Sequence, residues 1–261
     1  MIIDTHCHLD FFLSPPPSHF FNSLKNKTYL EVDASFITMS TSSLDWLSQL
    51  ELSQKFKHVY CALGIHPWYA QDIDVKKSLV QLENLFITEP ITALGEVGLD
   101  FTSYYKKNKT LQLDLFIEQI FLAKRFDKPV SLHVRKAHND MLDVLSSIAV
   151  QGVVHGLGAS KELAQSYVDL GFKIGVNGIV TRENARRYHE LVKYFGLKYL
   201  VLETDFPHVR IMHSNAPFLS DIILVAEKMA SLLKCSVEEV LEKTTLNAQE
   251  IFNLNGTLDG K

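Results

Sequence analysis

Cysteine is scarce in this chain, which carries three in 261 residues, at positions 7, 61 and 235. An odd number with no C-x-x-C spacing excludes a zinc-finger framework and a fully paired disulfide scaffold. Reduced thiols in a cytoplasmic protein are the simplest account, with Cys61 and Cys235 read as small buried side chains. Long apolar runs are missing as well: none approaches the roughly 20 residues that span a bilayer, and no basic region precedes an apolar run near Met1. The expectation is a cytoplasmic protein with no membrane partner and no evident obligate protein partner. Nor is there a surplus of positive charge. Lys and Arg number 26 against 30 Asp and Glu, a formal net charge of -4. Phosphates must therefore be gathered by a local patch or a metal, because the overall field will not attract them. No G-x-G-x-x-G follows the first apolar run, which argues against a dinucleotide-binding open sheet. Without an internal repeat, a low-complexity tract or a linker, the chain reads as one domain over residues 1–261.

What is present is ample core material, 46% hydrophobic with 21% charged, in a length normal for a single α/β barrel. After an opening strand from Ile2 and a Pro-rich turn at 14–17, apolar runs of strand length fall at 35–39, 59–63, 91–94, 130–132, 153–154, 172–176 and 199–202. They alternate with amphipathic stretches at 44–56, 75–86, 110–126, 140–148, 163–170 and 184–195. In the clearest of these, Leu111, Leu115, Ile120 and Leu122 fall near helical spacing, and Lys128-Pro129 ends the segment. About eight strand-helix units fit a (β/α)8 TIM barrel better than a doubly wound sheet. From Phe218 onward a helical extension follows. Ser236 with Glu239 forms a capping box, Asn247 is a candidate cap for the last helix, and residues 255–261 read as a frayed end.

Barrel enzymes carry their chemistry at the carboxyl ends of the strands. The first strand ends in His6 and His8, which share a face because residues two apart in an extended chain do so, leaving Cys7 to face away. The third ends in His66, the fourth in Glu96, the fifth in His133, the sixth in His155, and the eighth in Glu203-Thr204-Asp205. A single histidine at a strand end is ordinarily structural; coincidence across so many strand ends is hard to accept. Four imidazoles and two carboxylates suffice for two divalent ions, with Glu96 as the natural bridge. Asp205, touching a metal and its water, is the candidate general base. Spacing alone leaves open how the ligands divide between the ions.

These residues carry a resemblance. The segments DTHCHLD at 4–10, GIHP at 64–67, GEVGLDF at 95–101, LHVRKAHND at 132–140, VVHG at 153–156, GFKIGVNGIVT at 171–181, LETDFP at 202–207 and NAQEIF at 247–252 resemble the TatD family of metal-dependent hydrolases, in the family's order and over nearly the whole chain. The resemblance implies one metal held by His6, His8, Glu96 and Asp205 and a second held by Glu96, His133 and His155. It puts His66 near a substrate phosphate and makes Glu203 an orienting partner for a metal-bound histidine; a structural imidazole and a buried salt bridge are the competing readings. Two departures stand out. The family's HCFSG becomes HGLGAS at 155–160, and its Arg before Asn becomes Ser214 before Asn215, with Arg210 the nearest arginine.

The resemblance further implies ester hydrolysis, most often in DNA, by exonuclease action on single strands or exposed ends. Residue support is thinner: Arg135 and Lys136 follow His133, and with Lys161 and Arg182 they could make a basic crescent for phosphates, against the reading as ordinary surface cations that Lys161 fits better. Trp68, Tyr104 and Tyr105 could stack on bases or pack against neighbouring loops. The first reading is a deoxyribonuclease, the alternative a two-metal hydrolase of a small ester, lactone or amide. A metal-dependent binding protein without turnover is the third, disfavoured by so complete a ligand set. Histidine-rich ligation favours zinc, and phosphodiester chemistry often uses magnesium or manganese.

Overall fold

Alternation of short apolar strands with amphipathic helices closes on itself in the computed structural model, which describes residues 2–9, 34–212 and 216–254. The strands are β1 (Ile2–Cys7), β2 (Ala34–Met39), β3 (Val59–Leu63), β4 (Ala93–Asp100), β5 (Val130–Arg135), β6 (Gly152–Val154), β7 (Phe172–Val176) and β8 (Leu200–Leu202). All pair in parallel in sequential order. The ring is completed between β1 and the segment after β8: Thr5 Oγ1 donates to the Leu202 carbonyl at 3.0 Å, Asp205 N to His6 O at 2.9 Å and His8 N to Phe206 O at 2.7 Å. This is a (β/α)8 barrel. Its helices are α1 (Trp46–Lys55), α2 (Val75–Thr88), α3 (Lys109–Arg125), α4 (His138–Ser147), α5 (Lys161–Asp169), α6 (Arg186–Phe195), α7 (Asp221–Leu233) and α8 (Val237–Phe252). No helix among the described residues is long and apolar enough to cross a membrane.

The sequence patterns locate all eight strands and the six barrel helices to within a few residues, with one informative exception. The fourth strand is expected at 91–94 but runs over Ala93–Asp100, because its alternation is broken by a bulge. Between Leu94 and Val97 three steps on β4 face two on β5, and between Asp4 and Cys7 three steps on β1 face two on β2. A bulge inserts one residue and shifts the alternation by one. Ile3 can therefore join an apolar cluster with Ile37, Ala62, Ala93, Val153 and Val201 while His6, His8 and Glu96 turn to the same interior above it. Cys7 faces away, as expected, and packs with Leu52 and Phe56.

The inner cluster also contains Ala248, Ile251 and Phe252 of α8. Since Ile3 and Ala93 lie at strand beginnings, the last helix covers the amino-terminal mouth and leaves the carboxyl mouth for polar side chains. Ser236 caps α8 as its sequence suggests, accepting from Glu239 N at 3.1 Å. Asn247 does not cap it. It lies inside α8, and its Nδ2 donates to the carbonyls of Leu197 and Leu200, both at 2.7 Å, tying the helix to the start of β8. In α3, Leu115, Ile120 and Leu122 are buried and Leu111 is exposed. The Pro-rich turn at 14–17, the Ser214-Asn215 departure and the end at 255–261 lie outside the described residues.

Removing both donors leaves two carbonyls short of partners, at a net cost near 1 kcal/mol per hydrogen bond. Asn247→Ala is expected to lower stability by about 1–3 kcal/mol, read as a reduced midpoint in thermal or urea denaturation. A midpoint equal to that of the unaltered chain contradicts this role.

Candidate metal centre

Glu96 lies at the middle of the carboxyl mouth, buried. Its Oε2 is 3.5 Å from His6 Nε2 and 3.7 Å from His8 Nε2; its Oε1 is 2.9 Å from His133 Nδ1 and 3.6 Å from His66 Nε2. Asp205 Oδ1 is 3.8 Å from His8 Nε2, and its Oδ2 is 3.4 Å from His155 Nε2. The rings of His6 and His155 stack with centroids 3.7 Å apart. Every predicted ligand thus meets at one mouth, with Glu203 behind His155 and Arg135 at the rim.

His133 Nδ1 makes a direct hydrogen bond with Glu96 Oε1, but the other spacings suit a cation better than direct hydrogen bonds. Two ligand atoms each about 2.1 Å from a shared ion at the tetrahedral angle lie roughly 3.4 Å apart. Several pairs here fall at 3.4–3.8 Å, too long for strong hydrogen bonds. His6 Nε2 is buried and has no hydrogen-bond partner among the described residues, a cost that a bound cation removes. The donor set of imidazoles and carboxylates is what zinc and similar divalent ions take. Three overlapping groups have convergent donor atoms: His6, His8 and Glu96; His66, Glu96 and His133; and His6, His155 and Glu203.

Tautomers sharpen the picture. His8 Nδ1 lies 3.1 Å from the Met39 carbonyl; it must donate there, which leaves Nε2 as a lone pair facing Glu96 and Asp205. His66 is the reverse. Its Nδ1 accepts from Trp68 N at 3.3 Å, so in the neutral ring Nε2 carries the hydrogen and presents a donor to the cavity. Burial, joined by the His133 ring, holds His66 well below its ordinary pKa. Burial likewise lowers His8 to about 4, with His6 adding to the effect. Both are neutral at physiological pH. For His155 burial pushes the other way from the result: the Glu203 and Asp205 carboxylates outweigh it and hold the ring well above its usual value. Burial opposes ionisation of Asp205, yet the imidazoles of His155, His6 and His8 keep its carboxyl below the ordinary range.

Three supporting carboxylates position these groups. Glu203, fully buried, approaches His155 Nδ1 at 2.9 Å and accepts from Gly156 N at 2.6 Å. It fits because residue 175 is glycine, where an added Cβ would stand 2.0 Å from Glu203 Oε2. Asp100 and Asp4 were not singled out by sequence reasoning. Asp100 Oδ2 lies 3.4 Å from His133 Nε2 and accepts from Trp68 Nε1 at 2.8 Å, while its Oδ1 accepts from Thr102 N and Oγ1 at 2.9 and 2.6 Å. It stands to His133 as Glu203 does to His155. Gly98 permits this close approach of β4 to β5: at φ +151 its missing Cβ would meet the His133 carbonyl oxygen at 1.9 Å. Asp4 accepts from His6 N at 3.2 Å and from Thr204 N and Oγ1 at 3.0 and 2.6 Å, joining the ends of β1 and β8. Burial raises its pKa to about 7, against the lowering effect of Thr204. Asp205 follows in the left-handed region, φ 54, a conformation Asp tolerates better than most residues.

The mouth opens into a cavity of about 600 Å³ whose lining includes His66, Trp68, Arg135, Asn177, Tyr188 and His208. The expected basic crescent does not assemble around it. Of the four cations proposed for it only Arg135 lines the cavity, with its side chain 58% exposed and Nη1 4.0 Å from Asp100 Oδ2. Arg182 Nη2 instead donates to the Arg210 carbonyl at 3.4 Å, and Lys161 lies 4.0 Å from Glu162. In the altered HGLGAS loop, Ser160 caps α5 through Leu163 N at 3.3 Å, and Gly156 O accepts from Tyr188 Oη at 2.6 Å. An aromatic from α6 thereby enters the cavity beside that loop.

If Asp100 and Glu203 orient their histidines, Asp100→Asn and Glu203→Gln are each expected to weaken zinc or manganese affinity about 10–100-fold, measured by competition with a chromophoric chelator. Unchanged affinity in both variants contradicts the arrangement.

Comparison with known proteins agrees with this fold. Residues 3–253 match the family model described as TatD related DNase. The chain is 31% identical to the uncharacterized metal-dependent hydrolase YjjV of Escherichia coli K12 over 261 residues, covering 97% of this chain and 98% of the relative. It is 33% identical to the uncharacterized metal-dependent hydrolase YabD of Bacillus subtilis over 213 residues, covering 79% and 82%. The crystal structure of YjjV superposes with a TM-score of 0.86 at 30% identity over 97% of this chain and 98% of that one. A TatD family hydrolase from Entamoeba histolytica shares the fold at TM-score 0.81 and 20% identity, over 96% and 97% of the two chains. The chain belongs to the TatD family of metal-dependent hydrolases.

Proposed function

We propose that the protein is a two-metal phosphodiesterase acting on DNA, with single strands or exposed ends as substrate. The observation that carries this reading is the Glu96 carboxylate, one oxygen facing His6 and His8 and the other facing His133. In this reading His6, His8, Glu96 and Asp205 hold one ion, and Glu96, His133 and His155 hold the other. Zinc, magnesium and manganese all suit such a set, the histidines favouring zinc. A pair of divalent ions bound there supplies the Lewis acidity that lowers the pKa of water and neutralises a phosphoryl group.

The chain's own residues do the rest. Asp205, kept ionised by its imidazole neighbours, accepts the proton of the attacking water. His66, with Nε2 as donor, hydrogen-bonds a non-bridging phosphate oxygen. Arg135 offers a planar fork to the same phosphate from the rim. The cavity has the volume of a small-ligand site, which suits the end of a strand better than the middle of a duplex. A family model described as a DNase supports the same substrate.

A second reading, hydrolysis of a small ester, lactone or amide, is favoured by one observation. Arg135 is the single Lys or Arg lining the cavity among the described residues, on a chain of net charge -4.

Chelation is expected to abolish cleavage of single-stranded DNA and added manganese or zinc to restore it. Asp205→Asn, assayed under saturating metal, is expected to lower kcat by about 10²–10⁴-fold. Equal activity of this variant and the unaltered chain removes the proposed base from the mechanism. Arg135→Ala separates the two readings: the nuclease reading expects a rise in KM for DNA of about tenfold, the worth of one charge-assisted contact. Turnover of a neutral ester unaffected by that change, together with DNA cleavage no higher than in a Glu96→Ala control, favours the second reading.

A further inference from the structure

Beside the cavity, an aromatic series runs outward from the candidate ligands. His66 and His133 set their rings edge-on to Trp68, with centroids 4.6 and 5.9 Å away. Trp68 stacks face to face on Tyr105 at 5.2 Å with 9° between planes, and Tyr104 closes on Tyr105 at 4.7 Å and 80°. Lys107 Nζ lies 5.6 Å from the centre of the Tyr104 ring. The series is anchored. The indole N–H of Trp68 is fixed on Asp100 at 2.8 Å, and the Tyr105 carbonyl accepts from Gln112 Nε2 at 3.0 Å.

Packing accounts for Tyr105, which is held between the other two rings. It does not account for its neighbours. Trp68, which lines the open polar mouth, is 36% exposed, and Tyr104, reached from it across Tyr105, is 68% exposed. Large aromatic surface facing water at such a place marks a binding site more often than a packing solution. Local charge points to the occupant. Residues 104–109 read Tyr-Tyr-Lys-Lys-Asn-Lys in a chain with more acidic than basic side chains. Lys109 is committed to Asp140 at 2.7 Å, leaving Lys107 beside the Tyr104 ring and the exposed Lys106 next to it in the chain, with Arg135 at the rim.

Rings that offer π-faces, alternating with cations at a catalytic mouth, are the elements with which proteins hold single-stranded nucleic acid without reading its sequence. We propose that Trp68 and Tyr104, spaced by the Tyr105 ring packed between them, form a stacking rib for the bases of a single strand leaving the metal centre, its phosphates running along Arg135, Lys106 and Lys107. The proposal rests on the nuclease reading and adds to it a subsite beyond the scissile phosphate. The rib is fixed before substrate arrives, so little conformational entropy is lost on binding. A strand long enough to reach Tyr104 binds better than one that ends at the cavity.

The test uses the full chain and two probes, the dinucleotide TpT and a hexathymidylate. One of the two tryptophans, Trp46, is fully buried, so fluorescence changes on adding oligonucleotide to chelator-treated protein report on Trp68. The expected result is saturable quenching with the hexamer bound more tightly than TpT. Tyr104→Ala, an exposed position, is expected to shrink that advantage about tenfold, and metal-loaded protein to show the same loss in the ratio of the two KM values. Cleavage of both probes with no length advantage, or an advantage unchanged in Tyr104→Ala, overturns the rib and leaves the nuclease reading standing. Hexamer binding that depends on Tyr104 without any cleavage overturns the nuclease reading and keeps the rib as a nucleic-acid site. Neither binding nor cleavage overturns both.

Discussion

A buried carboxylate set among imidazoles is the constraint on which the rest of this structure depends. Removing Glu96 from water is costly, and in the folded chain His66, His6 and His133 hold its carboxyl well below the ordinary range against that burial. Such an arrangement is poor stabilisation for its own sake, since buried ionic clusters seldom repay their desolvation. It becomes favourable when a cation binds, because the binding free energy of a metal to a preformed site adds to the stability of the fold that presents it. The barrel is the means of presentation. The apolar layer from Ile3 to Val201 and the last helix close one mouth, so the other can gather charge.

Much of this was legible in the sequence, and the parts that were not have physical reasons. Strand and helix patterns follow from burial on two faces and one stripe respectively, and these survive in a single chain. The bulges do not. Both interrupt alternation next to candidate ligands, between Asp4 and Cys7 and between Leu94 and Val97, and a pattern of period 2 ends where a bulge begins. That is why the fourth strand seemed to stop at Leu94. Asn247 misled for a related reason: a residue type suited to capping serves here as a long-range tether to Leu197 and Leu200.

Around the centre, the strand-end histidines and acids announced themselves by type and spacing, whereas their supports did not. Asp100 and Asp4 act across strands, one toward His133 and the other between His6 and Thr204. No local spacing encodes such pairings. The one available signal was chemical, an acidic residue inside an otherwise apolar strand, where burial without a partner is too costly to persist. The basic crescent failed for the opposite reason. Positions after strand ends were assumed to face the mouth, yet Arg182 turns to the Arg210 carbonyl, and loop direction is not carried by strand register.

Metal content is the measurement that reaches the central claim most directly. Protein purified without chelator, loaded with zinc or manganese and freed of excess metal, is predicted to retain two ions per chain, and Glu96→Ala to lose at least one of them while keeping its circular dichroism. Retention of both ions in Glu96→Ala contradicts a bridging carboxylate and with it the mechanism built on that bridge.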